Sequence, residues 1–300
     1  MIKKTAIQGV SGSFHEIAAR QYFANETIQP VECDSFNALF DALQFKEANF
    51  AVVAIENSVA GSIIPNYAHI KNSGFKIIGE VYLRIEQNLV GIPGQKIDSI
   101  KEIHSHPMAI EQCGEFLNPL RRKGVKIVNS EDTALSAKRI GENRIVNIAA
   151  ISSRRAAEIY QLEVLAESIE TNKENFTRFL ILSGEEANDN THRLLPNKSS
   201  ICFKLPHEQG SLSQALSVLT YYKMNLTKIQ SLPIVGKVWQ YLFYVDLVFD
   251  DYEKYRLSLK AIEPLTTEMQ VLGEYRQAYR PAETEQLITQ NEISHDYKTS

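Results

Sequence analysis

From residue 5 to about residue 148 the chain alternates between short apolar runs and stretches of helical periodicity, a rhythm few architectures accommodate. Residues 5–7 read as a strand and 14–23 as a helix, then 31–33 as a second strand. Phe36, Leu39, Phe40 and Leu43 follow at the i, i+3, i+4, i+7 spacing of one apolar helix face. The run 50–55 is apolar throughout, as a strand buried on both faces must be. The pattern continues through strands at 76–78 and 81–92, a helix over 107–117, a strand at 125–128, a helix over 132–140 and a strand at 145–148. Such alternation predicts a mostly parallel α/β sheet with crossover helices, whose chemistry sits at the carboxyl ends of its strands.

At Gly184 the rhythm stops. Residues 184–198 are polar, contain Gly, Pro and three Asn, and show no period, so they read as a linker closing a first domain over 1–183. A strand at 200–205 and a helix over 211–222 follow, with a capping-box match at Ser211 and Gln214 and an apolar face of Leu212, Ala215, Leu216 and Leu219. Strands at 225–234 and 238–249, a helix over 253–262 and a strand at 269–275 complete the order βαββαβ, the α+β ferredoxin-like arrangement. A second domain is thus expected over 199–279, with a polar tail over 280–300.

Charge and composition exclude several classes. Of 300 residues, 32 are Lys or Arg and 36 Asp or Glu, a formal net charge of −4. That lacks the basic excess of a nucleic-acid or anionic-membrane binder, so neither partner is expected. The longest apolar runs fall far short of a membrane helix, and MIKKTAIQGV has no apolar stretch of signal-peptide type. Cys33, Cys113 and Cys202 lie far apart in no metal-like or CxxC spacing, and read as reduced thiols of a cytoplasmic protein.

Four clusters carry chemistry. Gly9-Val10-Ser11-Gly12-Ser13-Phe14 is a glycine-rich turn between strand and helix that would aim backbone N–H groups at an anion; a plain βα turn explains it equally, and no Lys-Ser/Thr pair follows to make a phosphate loop. Glu56-Asn57-Ser58 is delivered directly after the buried run, where α/β sheets bind ligands, unless it is a solvated strand end. His104 and His106 share a face if 103–106 is a strand, but no third metal ligand is in reach by spacing; the other functional reading makes His106 a hydrogen-bonding group in a cleft, with Gln112 supplying an amide. Asn175-Phe176-Thr177-Arg178-Phe179 opens an apolar strand, with an Arg suited to a carboxylate and a Thr beside it; an edge strand in solvent is the plainer alternative. No GxSxG, HExxH, paired CxxC or kinase-type set is present.

Taken in order, these motifs resemble the prephenate dehydratase family: 9–16, 55–61, 106–113, Asp132-Thr133-Ala134, Ala149-Ala150-Ile151 and, most specifically, the segment ending Thr177-Arg178-Phe179. The C-terminal part resembles an ACT regulatory domain in Gly210-Ser211-Leu212, in the run from Asn225 through Gln230-Ser231-Leu232-Pro233, and in a Trp-containing strand over 239–246. The resemblance implies a catalytic domain of two α/β lobes around a cleft, like type II periplasmic binding proteins, followed by an ACT domain. It implies a hydro-lyase converting prephenate to phenylpyruvate, carbon dioxide and water, in the cytoplasm, with no metal, nucleotide or redox cofactor. By the same resemblance Thr177, Arg178, Asn57 and Gln112 are catalytic. Ser11, Gly12, Ser13, Phe14, Glu56, Ser58, His106, Thr133 and Phe179 then hold substrate. L-phenylalanine would bind Gly210, Ser211, Leu212, Asn225, Leu226, Ser231 and Pro233 and inhibit, in a homodimer or homotetramer. An arogenate dehydratase or a non-catalytic small-molecule sensor are the alternatives. Two departures stand out: Gln230 and Leu232 replace the Glu and Arg usual in the ACT motif, and Ser13 and His15 replace the usual Thr and Ser.

Overall fold

A computed structural model describes residues 2–184, 195–234, 236–237 and 239–279. These divide into two compact units, one from Met1–Ser73 and Leu83–Ala187, the other from Gly74–Tyr82 and Asn188–Ser300.

The first unit begins with β1 (Lys3–Gln8), α1 (Phe14–Tyr22), β2 (Ile28–Cys33), α2 (Phe36–Gln44), β3 (Phe50–Asn57), a short β4 (Gly61–Ser62) and α3 (Ile64–Ser73). Side chains start the helices as their capping positions require: Ser13 accepts from Glu16 N and Ser35 from Ala38 N. β5 (Lys76–Arg84) falls mostly in the second unit. Then come β6 (Asn88–Gly91), β7 (Glu102–Ser105), α4 (Pro107–Gln112), α5 (Gly114–Arg122), β8 (Lys126–Asn129), α6 (Thr133–Glu142), β9 (Ile148–Ser152), α7 (Arg154–Ile159), β10 (Glu163–Ala166) and β11 (Phe176–Ser183).

The strands form two mixed sheets rather than one parallel sheet. In the first, β2, β1 and β3 run parallel while β11 pairs antiparallel with β3, Thr177 opposite Asn57. In the second, β8, β7 and β9 run parallel, β6 pairs antiparallel with β9, and β10 antiparallel with β6. The expected run 50–55 is buried throughout, from Phe50 at 3% to Ile55 at 1% exposure. Leu89, Ile103, Leu117, Ala149 and Ile151 anchor one core of the second sheet, and Val90, Ala134, Ala137, Ile140 and Ala156 the other.

Several expected elements differ. The strand placed at 145–148 is β9, three residues later, because Arg144 and Asn147 take positive φ (50° and 63°) and turn the chain before Ile148. The strand at 81–92 breaks after Arg84, and the helix at 107–117 divides at Cys113 into α4 and α5. His106 lies beyond β7 as the N-cap of α4, so it does not share a strand face with His104, whose Nε2 meets Glu102 at 3.0 Å.

The second unit contains β12 (Lys198–Lys204), α8 (Ser211–Tyr221), β13 (Asn225–Pro233), β14 (Tyr241–Val248), α9 (Tyr252–Ile262) and β15 (Glu268–Tyr275). Its antiparallel sheet runs β13-β14-β12-β15 over a core of Ile201, Phe203, Leu219, Val245, Leu247 and Tyr255. Lys198, expected in the linker, instead opens β12, fully buried against Glu80 at 2.8 Å. The linker residues 185–194 and the tail 280–300 lie outside the described residues. The capping box at Ser211 is not formed: Gly210, at φ 85°, is the N-cap, and Ser211 Oγ donates to Glu208 O. Trp239 stands outside the strand, at φ 60°, and β14 begins at Tyr241.

Candidate active site

Between the two sheets of the first unit lies a cavity of about 520 Å³, large enough for a small organic acid. Its wall is built toward the ends of parallel strands: Gln8 closes β1, Asn57 closes β3 with Ala54 three residues before it, His106 follows β7, and Asp132 and Thr133 follow β8. Thr177 and Phe179 enter from the start of β11, which the antiparallel register brings beside Asn57.

Asn57 has a fixed orientation. Its Oδ1 accepts from the backbone N–H of Val59 (2.9 Å) and Ala60 (2.8 Å), groups that only donate. Nδ2 therefore faces the other way, donating to Asn175 Oδ1 at 2.7 Å and Thr177 Oγ1 at 3.0 Å. With one lone pair occupied, the Thr177 hydroxyl keeps its proton for another acceptor. The amides continue in series: Asn175 Nδ2 donates to Gln112 Oε1 at 2.9 Å, which also receives Gln87 Nε2 at 3.4 Å. Gln87 Oε1 is buried with no protein donor.

Of the residues expected at the site, Ser13, Phe14, Asn57, His106, Gln112, Thr133, Thr177 and Phe179 line the cavity, and five do not. Arg178 alternates to the opposite face of β11, 2% exposed, and pairs with Glu56 at 3.3 Å, so neither side chain reaches a ligand there. Ser11 N and Oγ both donate to Glu32. Gly12 donates to Glu16 and accepts from Ser153 Oγ at 2.6 Å. Ser58 Oγ spans the strand ends, donating to Glu174 O and accepting from Phe176 N. These five support the wall rather than face the cavity. Among the described residues, no Lys or Arg lines it.

Sequence reasoning missed Gln8, His15, Gln87, Asp132 and Asn175 as site residues. His15, Asn175 and Asp132 stood inside quoted motifs; Gln87 was hidden by reading 81–92 as one strand. His106 is held as a neutral imidazole, its pKa lowered by burial, its Nδ1 accepting Met108 N–H. Burial likewise raises the Asp132 carboxyl, which caps α6 through Leu135 N. Burial lowers the pKa of His15 to about 3. No group of three or more His, Cys, Asp or Glu among the described residues is placed to hold a metal.

The second unit carries the residues expected to bind an effector. Gly210 caps α8, Ser211 and Leu212 begin it, and Asn225, Leu226, Ser231 and Pro233 lie on β13, an edge strand of its sheet. No helix of the described residues is long and apolar enough to cross a membrane.

Comparison with known proteins places this geometry. The family model described as prephenate dehydratase matches residues 5–187. The arogenate dehydratase/prephenate dehydratase 1 of Arabidopsis thaliana is 38% identical over 81% of this chain, which spans 64% of that relative's length. A solved prephenate dehydratase from Arthrobacter aurescens in complex with L-Phe superposes with a TM-score of 0.78 at 26% identity, covering 99% of this chain and all of that one. The solved structure of GqqA, a quorum-quenching acylase, gives 0.80 at 28% identity over 92% and 98%. The matched domain, more than half of the chain, carries the Thr177 site: the chain belongs to the prephenate dehydratase family.

Proposed function

We propose that this protein is a prephenate dehydratase, removing the ring carboxylate and ring hydroxyl of prephenate to give phenylpyruvate, with arogenate, its amino analogue, as the alternative substrate. The carboxylate's C–C bond breaks and its electron pair enters the ring as the C–O bond breaks. Dianion plus one proton yields monoanion, carbon dioxide and water.

One observation carries the reading: Asn57 Nδ2 donates to Thr177 Oγ1 at 3.0 Å, leaving the Thr177 proton for the departing hydroxyl. A threonine hydroxyl is too weak an acid to lose its proton outright. It hydrogen-bonds the leaving oxygen and relays to it the one proton the reaction takes up from solvent, lowering the charge that builds there. The cavity's lack of cationic lining suits the other bond, because a fixed cation beside the departing carboxylate would hold the charge that must flow into the ring. Acyl transfer, the activity named for GqqA, fits less well. It needs a nucleophile hydrogen-bonded to a base, whereas Thr177 accepts from an amide and His106 Nδ1 is taken by a backbone N–H.

The reading extends to the architecture: two lobes of periplasmic-binding-protein type around the cavity, and an ACT domain in the second unit that binds L-phenylalanine and inhibits. Its support is the βαββαβ order of that unit and the L-Phe complex of the Arthrobacter relative. A homodimer or homotetramer is part of the proposal, since the edge strand β13 leaves backbone groups for a second copy. So is a cytoplasmic location, where three buried thiols stay reduced.

Phenylpyruvate formation, measured from prephenate and then arogenate with and without L-phenylalanine, tests this. Turnover of prephenate that falls with phenylalanine is expected. Calorimetric binding of prephenate without turnover of either substrate would make the protein a sensor.

A further inference from the structure

We infer that His15 and the first turn of α1 form the subsite for the carboxylate that survives the reaction, the one on the substrate's three-carbon side chain. The inference rests on the dehydratase reading and names the substrate group that one corner of the cavity takes.

His15 is 9% exposed and lines the cavity, yet its Nε2 is buried without a hydrogen-bond partner. Its ring meets Phe36 edge-on at 5.7 Å and Phe179 at 5.0 Å, so carbon surfaces hold the imidazole in place and supply it no acceptor. A buried polar atom left unpaired inside a cavity marks where a ligand atom belongs. Burial also keeps the ring neutral, as a hydrogen-bonding group rather than a fixed charge.

The backbone beside it has spare donors. Ser13 N binds Val10 O, Gly12 N binds Glu16, and Glu16 N binds Ser13 Oγ. Phe14 and His15, the first two helical residues, have no acceptor for their N–H groups, as expected where a nine-residue helix begins. Two other helix starts on the wall are already occupied: Asp132 caps α6, and His106 Nδ1 takes Met108 N–H at α4. A third, α3, opens with Ile64 and Pro65, the second of which has no N–H to offer, and no unpaired polar side chain of its first turn lines the cavity as His15 does at α1. Uncommitted donors and the positive end of a helix dipole therefore coincide at α1.

The substrate has two carboxylates, and chemistry separates them. The ring carboxylate leaves as neutral carbon dioxide, and donors that stabilised its charge would raise the barrier. The side-chain carboxylate stays anionic in substrate and product alike, so a donor-rich corner suits it. Position agrees: Phe179, against which His15 packs, lies two residues along β11 from Thr177, roughly 7 Å. That separation fits a ring with its hydroxyl at one end and its side chain at the other.

The test uses His15→Phe, which keeps an aromatic ring between Phe36 and Phe179 but removes both nitrogens, and His15→Gln, which restores an amide N–H. His15→Phe is expected to raise KM for prephenate and the inhibition constant for phenylpyruvate together, by ~10- to 100-fold, the range for a hydrogen bond to a charged group. The loss should fall on KM, kcat changing less than ~3-fold, because the contact is equal in ground and transition states. His15→Gln should recover most of the affinity. Titration calorimetry with phenylpyruvate reads the subsite separately from turnover: absent turnover by the wild type would sink the dehydratase reading alone. Equal phenylpyruvate affinity in wild type and His15→Phe, no affinity in the wild type, or a fall in kcat at unchanged KM would overturn the inference.

Discussion

Asn57 shows how a single side chain sets the direction of a hydrogen-bond chain. Because two backbone N–H groups claim its Oδ1, its amide N–H must face Thr177 and Asn175. Asn57→Asp keeps the acceptor but turns the donor into a second acceptor, facing the lone pairs of Thr177 and Asn175. We expect kcat to fall by ~10²-fold with a smaller change in KM, measured by steady-state kinetics, as for loss of one oriented donor at a reacting oxygen. A kcat within a few-fold of wild type would show that Thr177 needs no orientation. His15 sets a pH dependence. Its folded pKa of about 3 lies below the unfolded value of 6.5, so between these the unfolded chain binds more protons. Its contribution to stability is complete above pH 6.5 and is lost as pH falls toward 3, at up to ~1.4 kcal/mol per pH unit. Denaturant unfolding at pH 7 and pH 5 should therefore show a larger acid loss for wild type than for His15→Phe; equal losses would contradict a buried neutral ring. Gly12 has φ 92°, and a Cβ there would lie 2.7 Å from Ala156 Cα. Gly12→Ala should cost more than about 2 kcal/mol, read as a lowered unfolding midpoint, since strain and a backbone clash add.

Among elements, the strands and helices with clean apolar periods were legible and the rest were not. The i, i+3, i+4, i+7 pattern of Phe36 to Leu43 became α2, and the apolar run became β3. α3 escaped notice because it buries only Asn66, Tyr67 and Ile70, too sparse a stripe to show a period; Asn66 holds it through Ala54 O at 2.7 Å. The shifted β9 followed from two positive-φ residues that propensity does not foresee. Arg178 is the instructive miss at the site. The period of two that puts Thr177 and Phe179 on the cavity face puts Arg178 on the other, a step that the mere adjacency of Arg178 to Thr177 in sequence does not reveal. Glu56, its partner, left the cavity with it. At the opening of β12, Lys198 and Glu80 form an ion pair with both side chains at 0% exposure, and Glu80 also accepts Ala278 N–H. Removing one member strands the other, so Lys198→Met should destabilise the second unit by about 3–5 kcal/mol, while Lys198→Met with Glu80→Leu should recover most of that loss. A single variant as stable as wild type in denaturant titration would contradict the pairing.

For the molecule as a whole, the division of the chain was only partly readable. The change of rhythm near Gly184 marks where one pattern gives way to another, but residues 74–82 group with the later unit although they read as one more strand of the α/β alternation. No local signal distinguishes a strand that leaves its domain from one that stays, because both are short and apolar. The family was readable because chemistry-bearing residues come in a fixed order, while the donor set of the cavity was not, since it depends on which amides and helix starts are already paired. Most direct as a test is the turnover of prephenate by wild type, Thr177→Ser and Thr177→Val under one set of conditions. Valine matches threonine in shape and lacks only the hydroxyl, so the account predicts a fall in kcat of at least ~10²-fold for Thr177→Val and partial retention for Thr177→Ser. A Thr177→Val variant that forms phenylpyruvate at the wild-type rate would remove the Thr177 hydroxyl from the chemistry and contradict the mechanism built on it.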